Sequence, residues 1–395
     1  MSSGVCIINR NGIALAADSA GTYYGNKMFY NSTNKVFSLS EKNICGAIIY
    51  SNLRIYGLSI EQMLMEFRVY LDSEPSFSDF YDILPIFRKF IELKYDYYKF
   101  RDAEREKCVE LIQLLVNTWG GKIKAVINLS DAENQIDTVI KELNDYIDAC
   151  SAAPEYDVTH HIKTTYYDAF EAHIEKVVPE LKSYPERMEA LWGAISSYDK
   201  LIMQLDEESY TGILFAGYGQ DDAFPKYLHI ELSKIVGGQA KIIIKEKYDS
   251  LRGSKIQPLA QVDEIYTFCK GISQLFIDGI PQSVEAAING RIDQLPTSYT
   301  DDQKNEIRNV LSECKKDVMK EINQTIRTKN INPLFESVAL IPLPEMAFLA
   351  ENLVNITTLK RTYSLDGNQQ TVGGPTDVAI ISKGEGFRWI KRKTV

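Results

Sequence analysis

An Asn-Gly pair sits between two short apolar runs at the start of this chain, and it narrows the possible folds more than any other feature. Gly4 to Asn9 is apolar, Arg10-Asn11-Gly12 carries turn chemistry, and Ile13 to Ala17 is apolar again. Asn-Gly tolerates the positive φ angles that a tight hairpin turn demands, so the spacing predicts a β-hairpin at the extreme N-terminus. A second strand pair follows, with Lys35 to Leu39, a polar turn at Ser40 to Asn43, and Ile44 to Tyr50 as a near-continuous apolar run of the fully buried kind. Ser59 then opens a helix, Gln62 completes a capping box, and Ile60, Met63, Leu64, Phe67 and Leu71 form one apolar stripe.

The hydrophobic period changes near residue 80. From there to residue 206 the pattern is helical and rich in Tyr, Lys, Glu and Asp, with an apolar patch at Ile123 to Ile127 and a helix that Pro185 starts. Strand signals resume at Thr211 to Gly217, Tyr227 to Leu232 and Ala240 to Ile244. Helical pattern returns at Val262 and continues through a charged stretch near 298–329, where Thr300 and Gln303 have capping-box spacing. Phe335 to Ile341 reads as a strand, Pro344 starts a helix, and Asp377 to Ser382 turns at Gly384 to Gly386 into a last strand. The expected division is 1–79 and 207–395 as parts of one layered unit, with 80–206 as a helical insertion. Antiparallel hairpins with helices on their outer faces imply an α/β (α+β) sandwich rather than a wound parallel sheet.

Composition removes several classes of function. The 395 residues carry a formal charge of -10 and a pI near 5.2, which opposes an electrostatic hold on nucleic acid or an anionic membrane. No apolar run approaches the ~20 residues that span a bilayer. Met1-Ser2-Ser3-Gly4 shows no secretory signal, and Cys6, Cys45, Cys108, Cys150, Cys269 and Cys314 form no CxxC pair, so the reading is a cytoplasmic protein with reduced thiols. His160-His161, His173 and His229 lack companions at metal-ligand spacing, and Gly217-Tyr218-Gly219 and Gly237-Gly238 lack phosphate-loop spacing. Neither metal nor cofactor is expected. Lys391-Arg392-Lys393 reads as a solvated edge.

Two distant segments carry a family resemblance. Gly12 to Ala17, Asp18-Ser19, Thr22, Gly25 and Lys35-Val36 lie in one, and Gly373-Gly374 with Asp377 to Ile381 and Lys383-Gly384 lie in the other. Together, in this order, they resemble proteasome β-type subunits and the bacterial proteasome-like peptidase, members of the N-terminal-nucleophile hydrolase superfamily. The resemblance covers about the first 70 residues and roughly 335–395, with a weaker echo at Thr211 to Gly219. It implies a four-layer αββα sandwich, peptide or amide hydrolysis, a homo-oligomer, and no cofactor. Residues 80–206 have no counterpart in a simple family member; a protein partner is one use for them.

The implied chemistry uses Ser2, exposed by removal of Met1, as both nucleophile and base: its hydroxyl attacks while its α-amine takes the proton. Such an amine has a reference pKa of about 7.7–8.0, and a nearby ammonium lowers it. Lys35 occupies the matching position for that ammonium, with Asp18 holding it. Ser3 is the alternative nucleophile, because counting from the Asn11-Gly12 turn selects it while counting back from Asp18 selects Ser2. The turn before the Ile44 to Tyr50 strand, or the Cys45-Gly46 segment of that strand, is the expected oxyanion region. Two departures stand out: Val372 replaces the serine usually found before the late Gly-Gly, and Asp366 lies upstream of the family's supporting aspartate. They leave open a catalytically inactive scaffold that self-assembles, or a small-metabolite module with Lys35 and Asp18 as ligand contacts.

Overall fold

In the computed structural model, residues 2–23, 28–149, 158–197, 210–296, 298–363 and 372–393 are described. The protein is α+β. β1 (Ser3–Asn9) and β2 (Gly12–Ala17) form the N-terminal hairpin, and β3 (Gly21–Tyr23) pairs with β4 (Met28–Tyr30) as a small ribbon. β5 (Val36–Ser38) pairs with β6 (Cys45–Ser51), and β7 (Arg54–Ile55) with β8 (Leu58–Ser59). After the helical region come β9 (Thr211–Gly217), β10 (Lys226–Val236), β11 (Gln239–Asp249) and β12 (Lys255–Ala260), and the chain closes with β13 (Asp377–Ser382) and β14 (Gly386–Lys391). Two five-stranded sheets result, in the orders β12-β1-β2-β13-β14 and β11-β10-β9-β6-β5, and every pairing is antiparallel.

Both faces of each central strand are buried, which is why these runs are continuously apolar. Cys6, Ile8, Ile13 and Leu15 of the first sheet meet Ile48, Tyr50, Leu214 and Ala216 of the second in one cluster. The alternate residues Val5, Ile7, Ala14 and Ala16 pack outward against Met346, Ala350 and Leu353 of the helix Leu343–Tyr363. On the far side, Ala47, Ile49, Phe215 and Leu228 pack against α1 (Ile60–Ser73) and α2 (Ile83–Lys94). A separate core joins α3 (Phe100–Leu115) to the helices that follow it, around Ile112, Phe170, Leu191 and Trp192.

Several sequence expectations change. The hairpin loop consists of Arg10 and Asn11, neither with positive φ; the Asn9 side chain accepts the Asn11 N–H at 2.8 Å and makes the turn instead. Asn332–Leu340 is a helix rather than a strand, because Leu334, Phe335 and Val338 recur at helical spacing and pack on the first sheet. Ser59 makes no capping hydrogen bond; it belongs to the β7–β8 ribbon, and the Ile60 N–H donates to Leu53 O at 3.0 Å. The Thr300–Gln303 box does form. β12 went unread, since Pro258 breaks the pattern, yet a proline is tolerated at the outer strand of a sheet.

Candidate active site

Asp18 follows directly on β2, where the pairing with β1 places it opposite Ser3. The Asp18 N–H donates to Ser3 O at 3.0 Å, and Asp18 Oδ1 accepts the Ser3 N–H at 2.8 Å. The same oxygen takes Lys35 Nζ at 2.6 Å. Asp18 Oδ2 accepts the N–H groups of Ala20 at 3.2 Å and Gly373 at 3.1 Å. Asp18 and Lys35 are each 1% exposed, so the pair is fully desolvated and depends on these bonds. Burial pulls the Lys35 ammonium below the ordinary lysine range, Asp18 opposes that, and Lys393 adds to the lowering.

The structure thus brings Asp18 and Lys35 together beside the Ser2-Ser3 segment. It also separates the two serines. Val5 and Ile7 face the helical layer while Cys6 and Ile8 face the opposing sheet; period-two alternation therefore sends Ser3 toward the helices and Ser2 toward the space between the sheets. Ser3 is 0% exposed and its hydroxyl has no hydrogen-bond partner among the described residues. Ser2 continues the ladder, its carbonyl accepting the Gln261 N–H at 3.1 Å.

Cys45 and Gly46 do not join this group. The Ile49 N–H donates to Lys35 O at 2.9 Å, so Cys45 lies four residues, roughly 13 Å, farther along β6. Its own N–H is committed to Asn43 O at 2.9 Å, and burial pushes its thiol pKa up. Gly46 has a packing reason: a Cβ there would lie 2.7 Å from two ring carbons of Phe387. The sequence reading missed a better-placed backbone donor. On β6, Cys45, Ala47 and Ile49 are the residues that bond toward β5, at Leu39, Phe37 and Lys35. The next odd residue, Ser51, turns its N–H to the same side one step past Lys35. Its φ of 66° bends the chain only after that N–H.

Two further features of this end of the sheets were not legible. Lys393 is buried rather than solvated: it pairs with Asp377, the two side chains being 3% and 4% exposed, and donates to Thr33 O at 3.0 Å. The phenol of Tyr50, the inward-facing residue before Ser51, meets His229 Nε2 at 2.7 Å. Burial lowers His229 to about 4, keeping the ring neutral. Val372, at the position the resemblance reserves for a serine, is 1% exposed and offers no hydroxyl. Gly25, Cys150 and Asp366 lie outside the described residues.

No family model matches the chain, and no curated protein matches it. Among solved structures it is similar to Anbu (ancestral beta-subunit) from Yersinia bercovieri, with 8% identity over 99% of this chain and 88% of that one, at a TM-score of 0.28. Among the described residues, no group of three or more His, Cys, Asp or Glu is arranged to hold a metal, and no helix is long and apolar enough to cross a membrane.

Proposed function

We propose that the protein is a proteasome-like N-terminal-nucleophile hydrolase that cleaves peptide or amide bonds with Ser2, once Met1 is removed. In this reading the Ser2 hydroxyl attacks the carbonyl carbon and the α-amine accepts its proton. Lys35 keeps that amine's pKa low, Asp18 holds Lys35, and the Ser51 N–H receives the developing oxyanion. The observation that carries the reading is the single carboxylate oxygen shared by Lys35 Nζ and the Ser3 N–H. It ties the Lys35 ammonium to the start of β1 within a buried constellation. We take 80–206 as an insertion into the layered unit formed by 1–79 and 207–395, the protein as a cytoplasmic homo-oligomer, and the substrate as its main partner.

The deciding experiment is intact-mass analysis with N-terminal sequencing, before and after exposure to an electrophile selective for N-terminal nucleophiles. The expected result is a chain beginning at Ser2 that gains one adduct, lost in Ser2→Ala and in Lys35→Ala. A chain that begins at Met1 and takes no adduct overturns it. Val372 favours a second reading, a catalytically silent scaffold of the same fold, because the loop that bonds Asp18 through Gly373 contributes no hydroxyl there.

A further inference from the structure

The helix Leu343–Tyr363 is apolar on two opposite faces. One face buries Met346, Ala350 and Leu353 against the first sheet, behind β1 and β2. On the other, the exposed positions between Glu345 and Lys360 are Phe348, Asn352, Ile356 and Leu359, and Tyr363 extends the row. Steps of three and four residues place all five on one stripe. Phe348 is 66% exposed, Ile356 47%, Leu359 56% and Tyr363 80%. A helix lying on a protein surface ordinarily keeps its outer face polar, so a second apolar stripe calls for cover.

Charge does not select that cover. The ionic groups beside the stripe are paired within the chain: Glu351 with Lys391, Lys360 with Glu264 at 2.6 Å and Arg361 with Asp263 at 3.5 Å. Asn352, the polar member of the row, donates its amide to Phe348 O at 2.8 Å. What the stripe offers is apolar area. Its four apolar side chains together expose on the order of 500 Å². This matches the apolar share, about 60%, of the roughly 800 Å² that each partner brings to a standard interface.

We propose that the stripe is a two-fold interface whose occupant is the same stripe of a second copy of this chain. An isologous contact requires a patch that complements itself when turned end for end. The stripe meets that requirement: Phe348 stands eight residues before Ile356 and Tyr363 seven after it, about 12 and 10 Å along the axis. Two such helices packed antiparallel set Phe348 against the partner's Tyr363, Leu359 against the partner's Asn352, and Ile356 against the partner's Ile356. Aromatic rings then close both ends of an aliphatic centre. The proposal gives the homo-oligomer its contact face; it rests on that part of the reading above and not on Ser2.

The test is sedimentation equilibrium of the full-length protein. The unsubstituted chain is expected as a dimer or a larger even-numbered assembly, and Phe348→Glu or Tyr363→Lys is expected to weaken the two-fold contact at least about thirtyfold. Phe348→Glu/Tyr363→Lys is expected to recover most of that loss, since each new carboxylate faces a new ammonium across the two-fold. Misfolding cannot imitate that recovery. Under mild oxidation in a Cys314→Ser background, Ile356→Cys is expected to cross-link two chains and Phe348→Cys is not. A monomeric unsubstituted chain, an assembly that both single substitutions leave intact, or cross-linking at Phe348→Cys without cross-linking at Ile356→Cys overturns the proposal. The monomer would remove the homo-oligomer as well, whereas the intact assembly would keep it and move its contact elsewhere. Ser2 labelling reads the nucleophile independently of these outcomes.

Discussion

Lys35 Nζ rests 2.6 Å from Asp18 Oδ1 with both side chains closed off from solvent. An ion pair so enclosed is costly to break from one side, because the survivor stays buried without its counter-charge. Lys35→Ala is therefore expected to lower unfolding free energy by about 3–5 kcal/mol. Asp18→Asn/Lys35→Met is expected to lose markedly less than the sum of the single variants. Urea unfolding of the set measures this, and simple additivity would show that the pair is not coupled.

The C-terminal basic run gives an internal contrast. Lys393 is buried against Asp377, whereas the Lys391 side chain is 53% exposed in its pair with Glu351. Lys393→Ala is expected to cost about 3–5 kcal/mol, and Lys391→Ala under about 1 kcal/mol. Because Lys393 also lowers the Lys35 pKa, Lys393→Met is expected to shift the Lys35 titration upward, readable by NMR of a labelled lysine. An unmoved titration would mean that the two ammonium groups do not sense each other.

His229 predicts acid sensitivity. Burial holds its folded pKa near 4, against 6.5 for an ordinary histidine, so between those values the unfolded chain binds more protons than the folded one. Stability from this residue is thus fully present above pH 6.5 and falls as the pH drops toward 4. The loss is expected to reach about 2 kcal/mol by about pH 5. His229→Gln is expected to flatten that part of the stability profile, whatever it does to stability at neutral pH. An unchanged slope would assign the acid sensitivity elsewhere.

What was legible in the sequence divides along physical lines. β1, β2, β6 and β9 are buried on both faces, so their unbroken apolar runs announce strands without tertiary context. Asp18 and Lys35 are placed by resemblance, and the fold sets Lys35 Nζ and the Ser3 N–H on one Asp18 oxygen. Three kinds of feature were hidden. Phe335 to Ile341 is too short for its period to separate helix from strand. Lys393 and Glu104 look solvated in sequence because nothing local announces Asp377 or the Tyr95, Tyr166 and His161 cluster. Ser51 is defined only by the parity of a ladder, which depends on how β5 and β6 register.

That register makes one last demand, on Gly212. A Cβ there would lie 2.0 Å from Tyr50 Cζ and 2.1 Å from Cε1, so the tyrosine ring occupies the space of the missing side chain. It crosses β9 to reach His229 on the next strand. In Gly212→Ala the ring must move, which costs about 1–3 kcal/mol in overpacking. The displaced phenol also abandons a buried histidine nitrogen, a loss of about 1–3 kcal/mol more. Tyr50→Phe removes the hydrogen bond in advance, so Gly212→Ala is expected to cost less in that background, with a coupling above about 0.5 kcal/mol in a double-mutant cycle. Additive costs would show that the ring does not need the glycine to hold His229. The same cycle read by Ser2 labelling asks whether the Tyr50 peptide, which orients the Ser51 N–H, must stay in place for the nucleophile to react.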